Sequence, residues 1–276
     1  MKDYIKINKS LWNRKTDIHI HSEFYDVAGF LAGKSSLKDI ELALLGDIKG
    51  KSILHLQCHF GQDTLSLARM GARVTGIDLS DRAIDKAKDL AEQLNLEEQT
   101  KFICCDLFEL EKHLDDTFDI IFTSYGTIDW FPKLDPWGAI IARYLQPEGQ
   151  FIFVEFHPMV WMLDEEFQKI EYSYFNIKTF QETYTNSYTD GGMHQETPGL
   201  TWNHPISDIF RALRDNGLII EDFQEYAVSP YPCFPNLVES KNGYQIKGFE
   251  GKLPMVYSVI ARRETSSFYS NRGRIS

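Results

Sequence analysis

Residues 51 to 80 constrain this chain more than any other stretch. Lys51-Ser-Ile-Leu-His-Leu-Gln-Cys-His-Phe-Gly61 reads as an apolar strand running into a tight loop that ends on glycine. A helix-like run follows, and Val74-Thr-Gly-Ile-Asp78 then reads as a second apolar strand ending in a single carboxylate. This order makes the first half of a nucleotide-binding βαβ unit. Glycine lets backbone approach a ligand, and a strand-end acid can accept two hydrogen bonds from a ribose diol. The spacing suits a cofactor that contains adenosine.

The rest of the chain sets bounds. At 276 residues and 43% hydrophobic content it can build one sizeable α/β domain with a subdomain. No stretch approaches the roughly 20 apolar residues that span a bilayer. Met1-Lys-Asp-Tyr-Ile-Lys lacks the apolar centre of a signal peptide, so the expectation is a cytoplasmic protein with no membrane partner. A net charge of −11 argues against a nucleic-acid partner, because phosphate binding needs clustered Lys and Arg. The one basic cluster, Arg262, Arg263, Arg272 and Arg274, reads as a solvated tail over residues 264–276 and just before it. Cys58, Cys104, Cys105 and Cys233 form neither a CxxC nor a disulfide framework and read as reduced thiols. Oligomeric state is not legible.

Strands are expected at 52–56, 73–77, 101–105, 118–123 and 150–156, with helices between them at 63–70, from Ser80 to Leu94, and at 137–145. Continuous apolar strands alternating with helices mean a parallel sheet covered on both faces. Leu37 to Leu45 has helical spacing. After residue 156 the pattern changes. Residues 157–203 are aromatic-rich, and 172–180 and 182–189 read as antiparallel strands turning back at Asp190-Gly191-Gly192. A helix at 206–215, a strand at 218–227, a long loop and a strand at 255–262 complete the chain.

In this order the elements resemble the class I S-adenosylmethionine-dependent methyltransferases. The family's first motif commonly reads Asp-Leu-Gly-Cys-Gly-Thr-Gly, and here the run is His55-Leu56-Gln57-Cys58-His59-Phe60-Gly61. Leu56, Cys58 and Gly61 agree; the acid and two glycines do not. Gln57 and His59 pay about 1 kcal/mol or more each in glycine-type backbone conformations, so the loop is expected to take a shape open to all residues. The resemblance implies a Rossmann-like α/β fold: a seven-stranded, mostly parallel sheet with helices on both faces and strand seven antiparallel, plus an aromatic-rich β insertion after strand five. It implies S-adenosylmethionine as cofactor and Asp78 on the ribose hydroxyls, with Leu79 packed on the adenine. Asp106 would take the adenine amino group with Leu107 beside it, and Ser124 and Tyr125 would stand near the methionine moiety. His55, Gln57, Cys58, His59 and Gly61 complete the expected cofactor contacts. Residues 51–263 form the methyltransferase domain, and residues 1–50 and 157–203 are read as a cap and a substrate lid.

For the acceptor, a small molecule, the candidates are Trp12, Tyr25, Asp129, Trp130, Glu155 and His157, with Arg14 and Phe24 as further lid residues. The N-terminal segment reads equally as a lid or as a packed arm. Asp78 and Asp106 each have a plain reading as capping acids. His19 and His21, placed on one face of a strand, lack a third ligand. His55 and His59 straddle a strand and its loop, so no metal site is expected. Methyl transfer from a sulfonium needs positioning more than side-chain chemistry, and a base only where the acceptor loses a proton; no catalytic residue is assigned. Three alternatives stand beside this reading. One is a silent binding protein with the same fold. Another is a nicotinamide-dependent oxidoreductase, which lacks its GxGxxG here. The last is an aminopropyl transferase, for which no acidic polyamine site is seen.

Overall fold

The computed structural model describes residues 3–190 and 192–263. The chain starts in a long helix, α1 (Asp3–His19), followed by short α2 (Val27–Leu31) and α3 (Asp39–Leu45). His19 therefore ends a helix, which corrects the expected strand around His19 and His21. The helix escapes a hydrophobic-period reading because its buried face is largely polar. Asn8, Leu11, Lys15, Thr16 and His19 recur at helical spacing, and only Leu11 is apolar. Asn8 is satisfied by a pair of 2.9 Å bonds with the backbone N–H and C=O of Leu200. At the other side, Ser80 donates to Asn13 (2.6 Å), and Lys9 pairs with Asp81 (2.9 Å).

The sheet follows. β1 (Ser52–Leu56), α4 (Gln62–Arg69), β2 (Arg73–Asp78), α5 (Asp81–Leu94) and β3 (Thr100–Cys104) lead to β4 (Phe118–Ser124), α6 (Asp135–Tyr144) and β5 (Leu145–Phe156). A hairpin of β6 (Phe180–Asn186) and β7 (Gly192–Thr201) precedes α7 (Ile206–Asp215) and β8 (Leu218–Tyr226). A second hairpin, β9 (Leu237–Ser240) with β10 (Gly243–Ile246), precedes β11 (Val256–Arg263). The sheet order is β3-β2-β1-β4-β5-β11-β8, and β11 runs antiparallel to both its neighbours. The two-residue side-chain period splits the core: Leu54, Ile121 and Phe153 pack toward Trp137 of α6, while Ile53, Phe122 and Ile152 meet Leu67 of α4.

Three local expectations are corrected. Residues 172–179 form no strand, and the hairpin pairs 180–186 with 192–201. The long loop before β11 carries a hairpin of its own, bridged to Ser229 through Tyr244. Arg262 and Arg263 belong to β11, where Arg262 pairs with Glu221, while Arg272 and Arg274 lie outside the described residues. Among the described residues no helix is long and apolar enough to cross a membrane.

Candidate active site

A cavity of about 1130 Å³ opens over the carboxyl ends of β1, β2 and β4, roofed by α1 and the β6–β7 hairpin. Ligands bind at that edge in open α/β sheets. Its floor is the loop after β1. Here the expectation of a generally permitted loop shape is overturned: Gln57 and His59 take left-handed conformations (φ 53° and 50°), as does Gly61 (φ 80°). The loop thus keeps a three-glycine shape with two side chains in it. Each such residue costs about 1–2 kcal/mol, and local bonds offset it. Gln57 Nε2 donates to the Thr127 carbonyl (2.8 Å), and the His59 N–H donates to Asp78 (2.8 Å).

Gly61 is required for a second reason. A Cβ there would lie 2.9 Å from both Ala87 Cβ and the Phe102 ring. Strain and overpacking together predict that Gly61→Ala destabilises the protein by about 2–4 kcal/mol, read by urea unfolding. A loss under 1 kcal/mol would mean that α5 yields freely.

Asp78 ends β2 and accepts from the His59 and Ser80 backbones (both 2.8 Å). Burial lifts its carboxyl to about 6 against those bonds. A carboxylate has about four lone-pair sites, so acceptor capacity remains on the cavity side. Asp106 caps the next turn through Phe108 (3.1 Å), and burial raises its carboxyl as well. His55, Cys58, Leu79, Leu107, Ser124 and Tyr125 line the same space. His55 is buried, its Nδ1 2.8 Å from Thr64 Oγ1, and burial drives its imidazole down to about 3. Gln57 Oε1 and His59 Nδ1 are buried without a hydrogen-bond partner.

Of the acceptor candidates, Trp12, Tyr25, Asp129 and Trp130 line the cavity, and so does Phe24. Glu155 and His157 do not, which corrects their expected place. Glu155 is buried below, where its carboxylate takes the backbone N–H groups of Gly126, Thr127 and Phe156. Those bonds hold the loop that carries Asp129 and Trp130. His157 accepts from the Met159 N–H and lies 3.0 Å from Glu225. Asp129 is half-buried near Glu155, and loss of solvent followed by that charge pushes its carboxyl well up. Arg14 is not a lining residue. Among the described residues no group of three or more His, Cys, Asp or Glu could hold a metal ion.

Sequence reasoning missed part of the roof. His19 Nδ1 meets His59 Nε2 at 2.9 Å, and its Nε2 meets Ser187 Oγ at 2.7 Å. Tyr25 and Tyr188 join through their hydroxyls. Lys15 is enclosed by the rings of Trp12, Trp130, Tyr184 and Tyr188. The helical spacing of polar Asn8, Lys15 and His19 was the available signal.

The fold is shared with solved structures. One is an S-adenosylmethionine dependent methyltransferase from Mesorhizobium loti (TM-score 0.55, 18% identity, covering 84% of this chain and all, 100%, of that one). Another is the geranyl diphosphate C-methyltransferase of Streptomyces coelicolor (TM-score 0.53, 14% identity, 88% of this chain and 85% of that one). By sequence, the chain is 26% identical over 178 residues to the sterol 24-C-methyltransferase of Saccharomyces cerevisiae, covering 61% of this chain and 45% of that protein. It is 37% identical over 108 residues to the ubiquinone biosynthesis O-methyltransferase of Coxiella burnetii, covering 38% of this chain and 44% of that protein. The chain thus spans about half the length of the curated relatives it matches. Residues 47–244, most of the chain and all of the cavity's floor, match the family model described as a methyltransferase domain, and the chain belongs to that family.

Proposed function

We propose that this protein transfers a methyl group from S-adenosylmethionine to a small-molecule acceptor by in-line displacement. The observation that carries the reading is the pairing of Asp78 with the left-handed loop Gln57–Gly61 across one face of the cavity. Asp78 has the free acceptor capacity that a ribose diol requires, and Asp106 lies one strand further, where the adenine amino group would sit. Leu79 and Leu107 offer apolar faces for the ring. Gln57 Oε1, buried and unpartnered, is an acceptor in want of a donor, and the ammonium of the methionine end fits it. The bound cofactor would supply a methyl group already activated by positive charge on sulfur.

The chain's own residues then hold and dry the reactants. Helix α1 and the β6–β7 hairpin act as the lid, fastened to the cofactor loop through His19, His59 and Ser187. Trp12, Tyr25, Asp129 and Trp130 line the acceptor end. Family membership and the retained acids speak against the oxidoreductase and silent-protein readings.

Calorimetric titration with S-adenosylmethionine and S-adenosylhomocysteine tests this. Two charge-assisted hydrogen bonds contribute about 1.5–3 kcal/mol each, so Asp78→Ala is expected to weaken binding roughly 100-fold or more. Asp78→Asn, which keeps one acceptor for the loop, separates ligand loss from loop collapse. A folded wild-type protein that binds neither compound would sink the proposal.

A further inference from the structure

Lys15 is a buried lysine with no ion-pair partner among the described residues. It is only 4% exposed, and among the described residues it is the one lysine or arginine in the buried set. No carboxylate of a described residue lies within 4.0 Å of its ammonium. Instead Nζ stands over four rings, 4.5 Å from the centre of Tyr184, 5.0 Å from Trp12, 5.3 Å from Trp130 and 5.7 Å from Tyr188. Ring faces stabilise a cation by about 0.5–2 kcal/mol, yet they give its N–H groups no strong acceptor. A buried ammonium without one is unfavourable unless it loses its proton or gains an anion. The residue lines the cavity, so a ligand can supply what the protein does not.

We propose that Lys15 is the residue that meets the acceptor: its Nζ takes the proton from an acidic O–H carried on a flat ring and then holds the oxyanion for methylation. This rests on the reading that the methyl donor occupies the Gln57–Gly61 loop. Trp12 connects the two places, its ring edge-on to His59 (5.3 Å) and to Trp130 (5.2 Å). The rings of Trp12, Trp130 and Tyr184 are flat walls for a flat acceptor. The sign of the charge selects the acceptor atom. An oxygen that has lost its proton is attracted by Lys15, whereas an amine gains positive charge as it is methylated and is repelled.

Among the histidines and phenols that surround it, Lys15 is the group that changes protonation near neutral pH, and the Asp129 carboxyl beside Trp130 is also pushed well up. Burial lowers its amine to about 8, with the charge of Glu182 on β6 acting the other way. His19 on α1 and His59 on the cofactor loop are both driven down by burial, and the Lys15 charge adds to it. The Tyr184 and Tyr188 phenols are raised by burial and keep their protons. The step balances: the O–H proton moves to the Nζ lone pair, and the oxygen's electron pair forms the bond to the methyl carbon. The carbon–sulfur bond breaks with its pair left on sulfur, and the proton stays on Lys15 until solvent re-enters.

The probe is 4-nitrophenol, a flat ring with one acidic O–H whose ionised form is coloured. It is titrated against pH into protein saturated with S-adenosylhomocysteine. With a cation in contact, the ionisation midpoint of the bound probe is expected to fall by about 1–3 pH units below that of the free probe. In Lys15→Met the fall disappears and the probe binds at least tenfold more weakly. In Lys15→Arg, which keeps the charge, the fall persists. Unchanged S-adenosylhomocysteine affinity in each variant shows that the site is folded. Failure of wild-type loaded protein to bind the probe, or an equal midpoint in wild type and Lys15→Met, overturns the proposal. Failure of S-adenosylhomocysteine itself to bind overturns the donor reading first, and this one with it.

Discussion

Lowering the pH from 7 to about 4.5 is expected to release α1 from the cofactor loop before the sheet unfolds. The latch is the 2.9 Å contact between His19 Nδ1 and His59 Nε2, in which one nitrogen must donate and the other accept. Burial holds His59 down to about 3 and His19 lower, and each is further depressed by the Lys15 charge. The sign follows from the free imidazole near 6.5. Above that value the two histidines bind the same protons in the closed and open forms. As pH falls from 6.5 toward 3, the open form takes up protons that the closed form refuses, so closure weakens by about 1.4 kcal/mol per pH unit for each histidine. At pH 4.5 the pair together favours opening by roughly 5 kcal/mol. His55 is held down to about 3 as well, but it is buried on β1 under α4, so it resists only global unfolding. Hydrogen exchange, corrected for the intrinsic effect of pH, should show residues 3–19 losing protection at pH 4.5 while β1 and β4 keep theirs. His59→Asn, a residue that accepts the left-handed backbone and does not titrate here, should roughly halve the difference, because burial still holds His19 down. Equal protection of α1 at both pH values in the wild type would disprove the latch.

A second large effect runs in the opposite direction. Glu41 on α3 is fully buried, with the Tyr125 hydroxyl facing its carboxyl. Burial, and next the charge of Asp63, raise its carboxyl to about 7. The free carboxyl ionises near 4.5, so between 4.5 and 7 the unfolded chain releases a proton that the folded protein retains, and stability falls as pH rises. The contribution is about 2–3 kcal/mol between pH 5 and 8. Glu41→Gln should lose that decline, so that its urea midpoint exceeds the wild type's at pH 8 by more than at pH 5. A variant that tracks the wild type at both pH values would show Glu41 to be hydrated. Together the two predictions place the stability maximum at about pH 6.5, where the histidines no longer take up protons on opening and Glu41 still retains part of its contribution.

Much of the sheet is legible without coordinates because its strands are short, continuous apolar runs separated by turn residues. Val74–Ile77 and Phe118–Thr123 can satisfy neither a helical stripe nor a solvated loop, and strands buried on both faces are what remains. The antiparallel last strand followed from family resemblance, and the ladder of β11 against β5 and β8 agrees. The sequence places the first hairpin strand too early because residues 172–179 carry strand-like aromatics, yet they bond locally and to neighbouring loops, as Asn203 does with the Ser173 carbonyl.

The candidate site divides in the same way. Gly61, Asp78 and Asp106 announce themselves by position at strand ends, which a linear reading captures. Glu155 and His157 occupy similar positions but point beneath the cavity, and only side-chain direction distinguishes the two cases.

What the sequence by itself determined is the set of elements whose stability comes from apolar periodicity: the sheet, its flanking helices and the strand-end acids that follow from them. What only the tertiary structure decided is the roof. The buried face of α1 is built from Asn8, Lys15, Thr16 and His19, and polar groups become interior only when partners far along the chain complete them. Leu200 does so for Asn8, His59 and Ser187 do so for His19, and four rings surround Lys15. Apolar burial is favoured wherever water is excluded and so can be read locally. A buried polar group is tolerated only at the one geometry where its partner stands, and that geometry exists only in the folded chain.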